Sequence, residues 1–274
     1  MLFRSAVVAH DRERCRDQGN IDLIGGRRDG RRRGNQQVRW QDVNEVGATQ
    51  RLDARRDVVD GIDCNGAHDD LHAFVAANDL DVQGILLTHH HIDHIYDLDE
   101  VVERYGVPVG ASARAIELIR EDGHYTGPIE YTLDDDGTFE LAGLEIRAIP
   151  TPGHAGGHLA FLVDGTDIFT GDVLFDGTVG GTRAPGHTDL ADLKASLDRV
   201  LALPDDTVVH PGHVSPTTIG AERASNPFVR YFRGDDAALD EPVTAWGEPA
   251  TLLVWGPDYR SEEHTSELQS QFRI

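Results

Sequence analysis

Thr88–His94 reads THHHIDH, and it directly continues an apolar run, GILLT, at Gly84–Thr88. A short apolar stretch of that kind has the character of a buried strand. The histidines therefore begin at a strand end, where side chains can converge on an open crevice. His89 and His91 are two apart on an extended segment, so they point the same way and can grip one ion. Asp93 and His94 reach a second ion as the chain turns. Imidazole with carboxylate suits zinc, with iron or manganese as alternatives, and the lack of thiolates argues against a closed structural zinc site. Cys15 and Cys64, the two cysteines, form no CxxC pair and no disulfide framework. His90 has the opposite strand parity, which makes it a supporting or solvent-facing residue. The isolated histidines His68, His72, His124 and His187 read as ordinary satisfied polar groups.

Away from this stretch the chain alternates helices with strands. Asp70–Asn78 has helical spacing, as do Leu98–Tyr105 and Ala113–Glu121, the last stopped near Gly123. Strands are expected at Pro108–Ala111, Leu144–Ile149, Leu159–Val163, Asp167–Thr170 and Thr207–His210. Asp189 is an N-cap before LADLKASLDRVLAL, whose Leu190, Leu193, Leu197, Val200 and Leu201 form one apolar stripe. This mixture predicts an α/β layered architecture. Pro152-Gly153-His154 and Pro211-Gly212-His213 each place a histidine just beyond a tight turn after a strand, and Gly171-Asp172 does the same with a carboxylate.

THHHIDH resembles the THxHxDH signature of the metallo-β-lactamase fold, with the closest likeness to the glyoxalase II (hydroxyacylglutathione hydrolase) branch. The resemblance implies a four-layer αβ/βα sandwich. TPGHAGGH (Thr151–His158) matches the element that brings a third ligand to the first metal, which implies that His154 joins His89 and His91. FTGDVLF (Phe169–Phe175) matches the element of the bridging carboxylate, implying Asp172, and HPGH (His210–His213) implies that His213 completes a second site with Asp93 and His94. TTIGAERASNPF (Thr217–Phe228) is also similar to that branch, so the likeness runs from about Asp60 to Phe228. His158 and His210 fall one step outside the matched positions and are candidates to support the ligands from behind.

Two divalent ions about 3.5–4 Å apart can share a water and lower its pKa from about 15.7 toward roughly 7, so no serine or cysteine nucleophile is required. The resemblance implies a metal-bridging hydroxide attacking the thioester of a small thiol, with Asp93 both binding metal and orienting the nucleophile. Longer members of the branch carry a C-terminal helical domain that grips glutathione, whereas Thr244–Gly256 here reads as strands. Tyr96 and Asp97 stand where many relatives have glycines. Rival readings are a lactonase with the same metal pair, a persulfide dioxygenase with a single iron at His89, His154 and Asp172, and an inert chimeric product lacking the native N-terminal strands.

The formal net charge is -23, and Lys194 is the only lysine. Such a surface repels nucleic acid, and acid excess with scarce lysine resembles proteins of salt-loving organisms. No apolar run approaches the roughly 20 residues needed to span a bilayer, and no signal-peptide stretch is evident, so a cytoplasmic location is the default expectation. Charge is uneven: residues 1–60 hold 13 Arg against 10 acidic groups, while residues 61–274 hold 12 basic and 38 acidic groups. The Arg-rich leader, residues 1–60, shows neither a strand alternation nor a helical stripe between Arg4 and Arg56, and a one-base slip in GAC codons would read as arginine. RSEEHTSELQS (Arg260–Ser270) resembles the translated read-through of a sequencing-library adapter, and LFRS (Leu2–Ser5) the opposite adapter. The expected division is a leader at 1–60, a hydrolase domain at 61–259 and an adapter-derived tail at 260–274.

Overall fold

The computed structural model of the chain describes residues 68–256 apart from 134, 135, 246 and 247, with backbone alone at 68–70 and 248. It also describes the backbone of the strands Leu2–Asp11, Gln36–Gln37, Arg51–Leu52 and Arg56–Asp63. The remainder of the leader and the expected tail at 260–274 lie outside the described residues.

Two sheets organise the molecule. The first runs in the order Arg56–Asp63, Leu2–Asp11, Leu80–Leu86, Val109–Ala111, Tyr131–Thr132. Leu2–Asp11 is antiparallel to both its neighbours, and the last three strands are mutually parallel. The second runs Thr217–Thr218, Val208–Pro211, Asp167–Gly171, Leu159–Val163, Leu144–Pro150, Thr138–Leu141, antiparallel except where Asp167–Gly171 meets Val208–Pro211.

Leu159–Val163 is buried at every position, and its side chains alternate between the two faces of the second sheet as the two-residue period of a strand requires. Leu159, Phe161 and Val163 pack with Ile146, Ala148 and Leu86 of the first sheet, forming the layer between the sheets. Ala160 and Leu162 point the other way, onto Leu193, Leu197 and Val200 of the helix Leu190–Val200. On the far side of the first sheet, Ile85, Leu87 and Val109 are covered by Leu71, Val101, Ala115 and Ile119 from the helices His68–Ala77, Leu98–Tyr105 and Ala113–Asp122. Helix, sheet, sheet, helix is the expected four-layer α/β sandwich.

The expected helix ends hold. Asp189 Oδ1 accepts from Asp192 N at 2.8 Å, and Gly123 closes Ala113–Asp122 in the left-handed region. Three differences have physical reasons. The strand before the histidines starts at Leu80 rather than Gly84, because Leu80 and Val82 are buried while Asp81 and Gln83 face outward. The helices Ile219–Ser225 and Pro227–Arg233 were not expected; Thr218 and Asn226 cap them, and Pro227 occupies a first-turn position that needs no N–H. Leu2–Asp11 pairs as a strand between Arg56–Asp63 and Leu80–Leu86 although no alternation is evident between Arg4 and Arg56, since the ladder is made by backbone N–H and C=O groups whatever the side-chain period. The expected strands at Thr244–Gly256 form a hairpin of Glu241–Ala245 with Glu248–Leu252. Among the described residues no helix is long and apolar enough to cross a membrane.

Candidate metal centre

Four strand ends deliver the site. His89 and His91 follow Leu80–Leu86, His154 follows Leu144–Pro150, Asp172 follows Asp167–Gly171, and His213 follows Val208–Pro211. A 3-10 turn at Ile92–His94 swings Asp93 and His94 back toward the same point. In the second sheet the three contributing strands run the same way, so their carboxyl ends open on one edge, the usual place for a site in α/β sheets. Leu159 N donates to Thr88 O at 2.8 Å and ties that edge to the first sheet.

All seven expected side chains meet. His154 Nε2 lies 2.9 Å from His91 Nδ1, and the His89 ring centroid is 4.6 Å from that of His91 and 5.1 Å from that of His154. On the other side, His213 Nε2 lies 3.4 Å from Asp93 Oδ2 and His94 Nε2 lies 3.9 Å from the same oxygen. Asp172 sits between the trios: its Oδ1 is 3.2 Å from His94 Nε2, and its Oδ2 is 3.4 Å from both His154 Nε2 and His213 Nε2. Within the trio His89, His91 and His154, and again within Asp93, His94 and His213, candidate ligand atoms all lie within 4.8 Å of one another.

The outward ring nitrogens are held so that the inward ones face the cluster. His154 Nδ1–H donates to Gly181 O and His91 Nε2–H to Pro185 O, each at 2.8 Å. Thr88 Oγ1 lies 3.1 Å from His89 Nδ1. Such outer partners fix tautomer and ring orientation in metal sites. His89 Nε2 is buried without a hydrogen-bond partner among the described residues. A Cβ at Gly212 would stand 2.1 Å from Asp172 Oδ1, so the backbone after Val208–Pro211 comes close enough to the carboxylate that only glycine fits. A buried imidazole with an unused nitrogen, grouped with neutral imidazoles and a shared carboxylate, fits two divalent cations.

Electrostatics follow from this crowding. Burial depresses His89 well below its usual value and His154 to about 4, so both stay neutral. Burial pushes the Asp93 carboxyl up, but the hydrogen bond from His213 and the charges of His94 and His213 overcome it and hold it at about 2. Asp172 is held well below the carboxylate range for the same reason, with His213 and His94 outweighing burial. His213 is pulled down by burial and carried up to about 9 by Asp172 and Asp93.

The supporting histidines divide. His158 touches the site from behind: Asp172 N–H donates to its Nε2 at 3.1 Å. His210 turns away, with Nε2 3.1 Å from Asp167 Oδ1 and its ring stacked on Phe169. His90 is buried rather than solvent-facing, because the opposite face of its strand end is covered: Asp122 lies 3.9 Å away, and a Cβ at Gly186 would meet its ring at 2.6 Å. His72 is the satisfied polar group expected, 2.7 Å from Tyr105 OH, and His124 and His187 are exposed. The side chain of His68 lies outside the described residues. Gly181 and Pro185 were not foreseen, since they act through carbonyls that any residue type carries.

The sequence profile described as Metallo-beta-lactamase superfamily matches residues 62–213. An uncharacterised protein of Mycobacterium tuberculosis (strain H37Rv) is 35% identical over 187 residues, which is 60% of this chain and 83% of that protein. Hydroxyacylglutathione hydrolase GloC of Haemophilus influenzae is 32% identical over 182 residues, 61% of this chain and 85% of that protein. The solved structure of TTHA1623 in a di-iron-bound form superposes with a TM-score of 0.55 at 32% identity, covering 68% of this chain and 97% of that one.

Proposed function

The chain belongs to the metallo-beta-lactamase superfamily, and from that premise we propose that it is a two-metal hydrolase cleaving the thioester of a small thiol. The observation that carries the two-metal part is Asp172, a single buried carboxylate shared between a trio of histidines and the trio Asp93, His94 and His213. Zinc is the proposed metal, on the imidazole and carboxylate donor set; the di-iron form of TTHA1623 makes iron the alternative. Support for a thioester substrate comes from the 32% identity to the Haemophilus influenzae hydroxyacylglutathione hydrolase.

When bound, two such cations lower the pKa of water toward about 7 and polarise a carbonyl oxygen. The chain's own contribution is arrangement. His89, His91 and His154 would hold one cation and Asp93, His94 and His213 the other, with the Asp172 carboxylate standing between the two trios. Asp93 is ionised throughout the neutral range and partly open to solvent, which suits it to accept a hydrogen bond from the attacking water and aim it. Exposed Ile92 and Tyr96 flank it and would meet the acyl part of a substrate. A one-iron dioxygenase would use His89, His154 and Asp172 and leave the complete second trio without a task, so hydrolysis comes first. The acidic surface supports a small-molecule substrate rather than nucleic acid, and work at high salt.

The test is elemental analysis of the purified chain followed by turnover of a thioester, a lactone and glutathione persulfide. Two equivalents of metal with thioester cleavage, abolished by His89→Ala or Asp172→Ala, is the expected result. One iron with oxygen consumption, or thioester cleavage that survives either substitution, overturns the proposal.

A further inference from the structure

His158 lies outside the ligand set, yet its imidazole occupies the space directly behind two of the seven residues. Only 1% of it is exposed. On one face its ring stacks on His89, with centroids 4.8 Å apart and planes 28° from parallel. Its Nε2 accepts the backbone N–H of Asp172 at 3.1 Å, and its Nδ1 lies 2.8 Å from Thr151 Oγ1. Because Nε2 is the acceptor, the ring proton is on Nδ1, and the Thr151 hydroxyl accepts it. The Thr151 and His158 backbones are themselves joined, Thr151 N donating to His158 O at 2.9 Å.

The contact falls at a sensitive place. Gly171, immediately before Asp172, has φ +47°, and a Cβ there would stand 2.7 Å from His158 Nε2 and 2.9 Å from Thr88 Cβ. The chain thus passes against the ring in a conformation that favours glycine. The peptide that follows carries the N–H that His158 holds, and the plane of that peptide decides where the Asp172 side chain starts. A small rotation there moves the carboxylate relative to His94, His154 and His213 together.

We propose that His158 is the positioning residue of the shared carboxylate: its Nε2 lone pair, aimed by Thr151, fixes the Gly171–Asp172 peptide so that Asp172 reaches both trios. The inference deepens the two-metal reading and rests on it. A ring that served only as packing would work equally well without a lone pair, and that difference makes the inference testable.

His158→Phe keeps a ring against His89 and removes the acceptor. His158→Gln removes the ring and keeps an amide oxygen near the position of Nε2. Each protein is measured for equivalents of zinc bound, zinc affinity by competition with a chromophoric chelator, melting temperature after chelation, and kcat and KM on a thioester. The phenylalanine variant is expected to lose about 10–100-fold in zinc affinity, with kcat falling more than KM rises. The glutamine variant is expected to recover most of that affinity even if its chelated form melts lower. Thr151→Val against Thr151→Ser repeats the comparison one residue further out, and carries the test if the phenylalanine variant does not fold. Wild-type zinc affinity in His158→Phe, or affinity losses that simply follow melting temperature across all variants, overturns the inference while leaving the two-metal reading intact. A wild-type chain that binds no zinc removes both.

Discussion

Gly212→Ala alters no candidate ligand and should still damage the metal centre. The added methyl would stand 2.1 Å from Asp172 Oδ1 and 3.0 Å from both Gly171 C and His94 Cε1. Non-bonded contacts of this kind relax near about 3.5 Å, so the carboxylate must retreat by roughly 1.4 Å or the backbone must shift. Asp172 is buried and held by three imidazoles, which leaves little room for a retreat that keeps its contacts. Overpacking of this order costs about 1–3 kcal/mol of stability. A misplacement of about 1 Å at a reacting centre costs on the order of 100-fold. Melting temperature after chelation should therefore fall by a few degrees, and affinity for zinc by about 10–100-fold. Asp189→Ala is the control: it removes the oxygen that caps Leu190–Val200, costs about 1 kcal/mol, and touches nothing in the cluster. Calorimetric melting and chelator competition on both variants decide the matter. The reasoning fails if Gly212→Ala binds two equivalents as tightly as the wild type, or if Asp189→Ala loses affinity in proportion to its stability.

The metal-free protein should be most stable near pH 6.5. His90 and His154 are both depressed to about 4 from 6.5, so the unfolded chain takes up protons that the fold refuses as pH falls across that window. His213, raised to about 9, contributes stability that is complete below 6.5 and is lost as pH climbs through 9. Melting of the chelated protein from pH 4 to 9 should trace a maximum, and a curve that rises steadily in either direction contradicts the assignment. The net charge of -23 predicts a second dependence, on salt. Screening contracts from about 10 Å at 0.1 M to about 3 Å at 1 M, so repulsion among surface carboxylates should relax and the melting temperature rise by roughly 5 °C or more between those concentrations of KCl. A flat response would mean that the surface charge is not a burden to the fold.

How much of the site was legible depended on whether the signal was local. His89, His91, Asp93 and His94 lie within six positions, and strand parity followed by a turn was enough to split them into two pairs. His154, Asp172 and His213 carried a local cue, a turn after a strand, but their meeting depends on three strands of one sheet ending at the same edge, which no single window contains. The likeness of four ordered motifs to a known family supplied that relation. The parity argument was right that His90 faces away from the ligands. It could not say whether that direction held water or protein, because the cover at Gly186 and Asp122 comes from distant parts of the chain. The two C-terminal helices were missed for a different reason, since each is seven residues long and rests on its cap more than on periodicity.

The electrostatics bear on the choice between a metal centre and a purely structural polar network. A buried carboxylate is costly unless charge and hydrogen bonds compensate it, and structural networks usually achieve this with arginine, lysine or a full set of donors. Among the described residues the ion pairs of Asp172 are instead all with histidines, His94, His154 and His213, and Asp93 shares the last of them. Burial keeps His154 neutral while His213 is carried up to about 9, and among the described residues the two ionised carboxylates, Asp93 and Asp172, have no arginine or lysine to offset them. Stability alone would favour replacing neutral His89 with an apolar residue, because its Nε2 is buried and makes no hydrogen bond among the described residues. The arrangement becomes favourable if that nitrogen and the two ionised carboxylates act on divalent cations, and this is the sense in which the histidine cluster reads as machinery rather than as core.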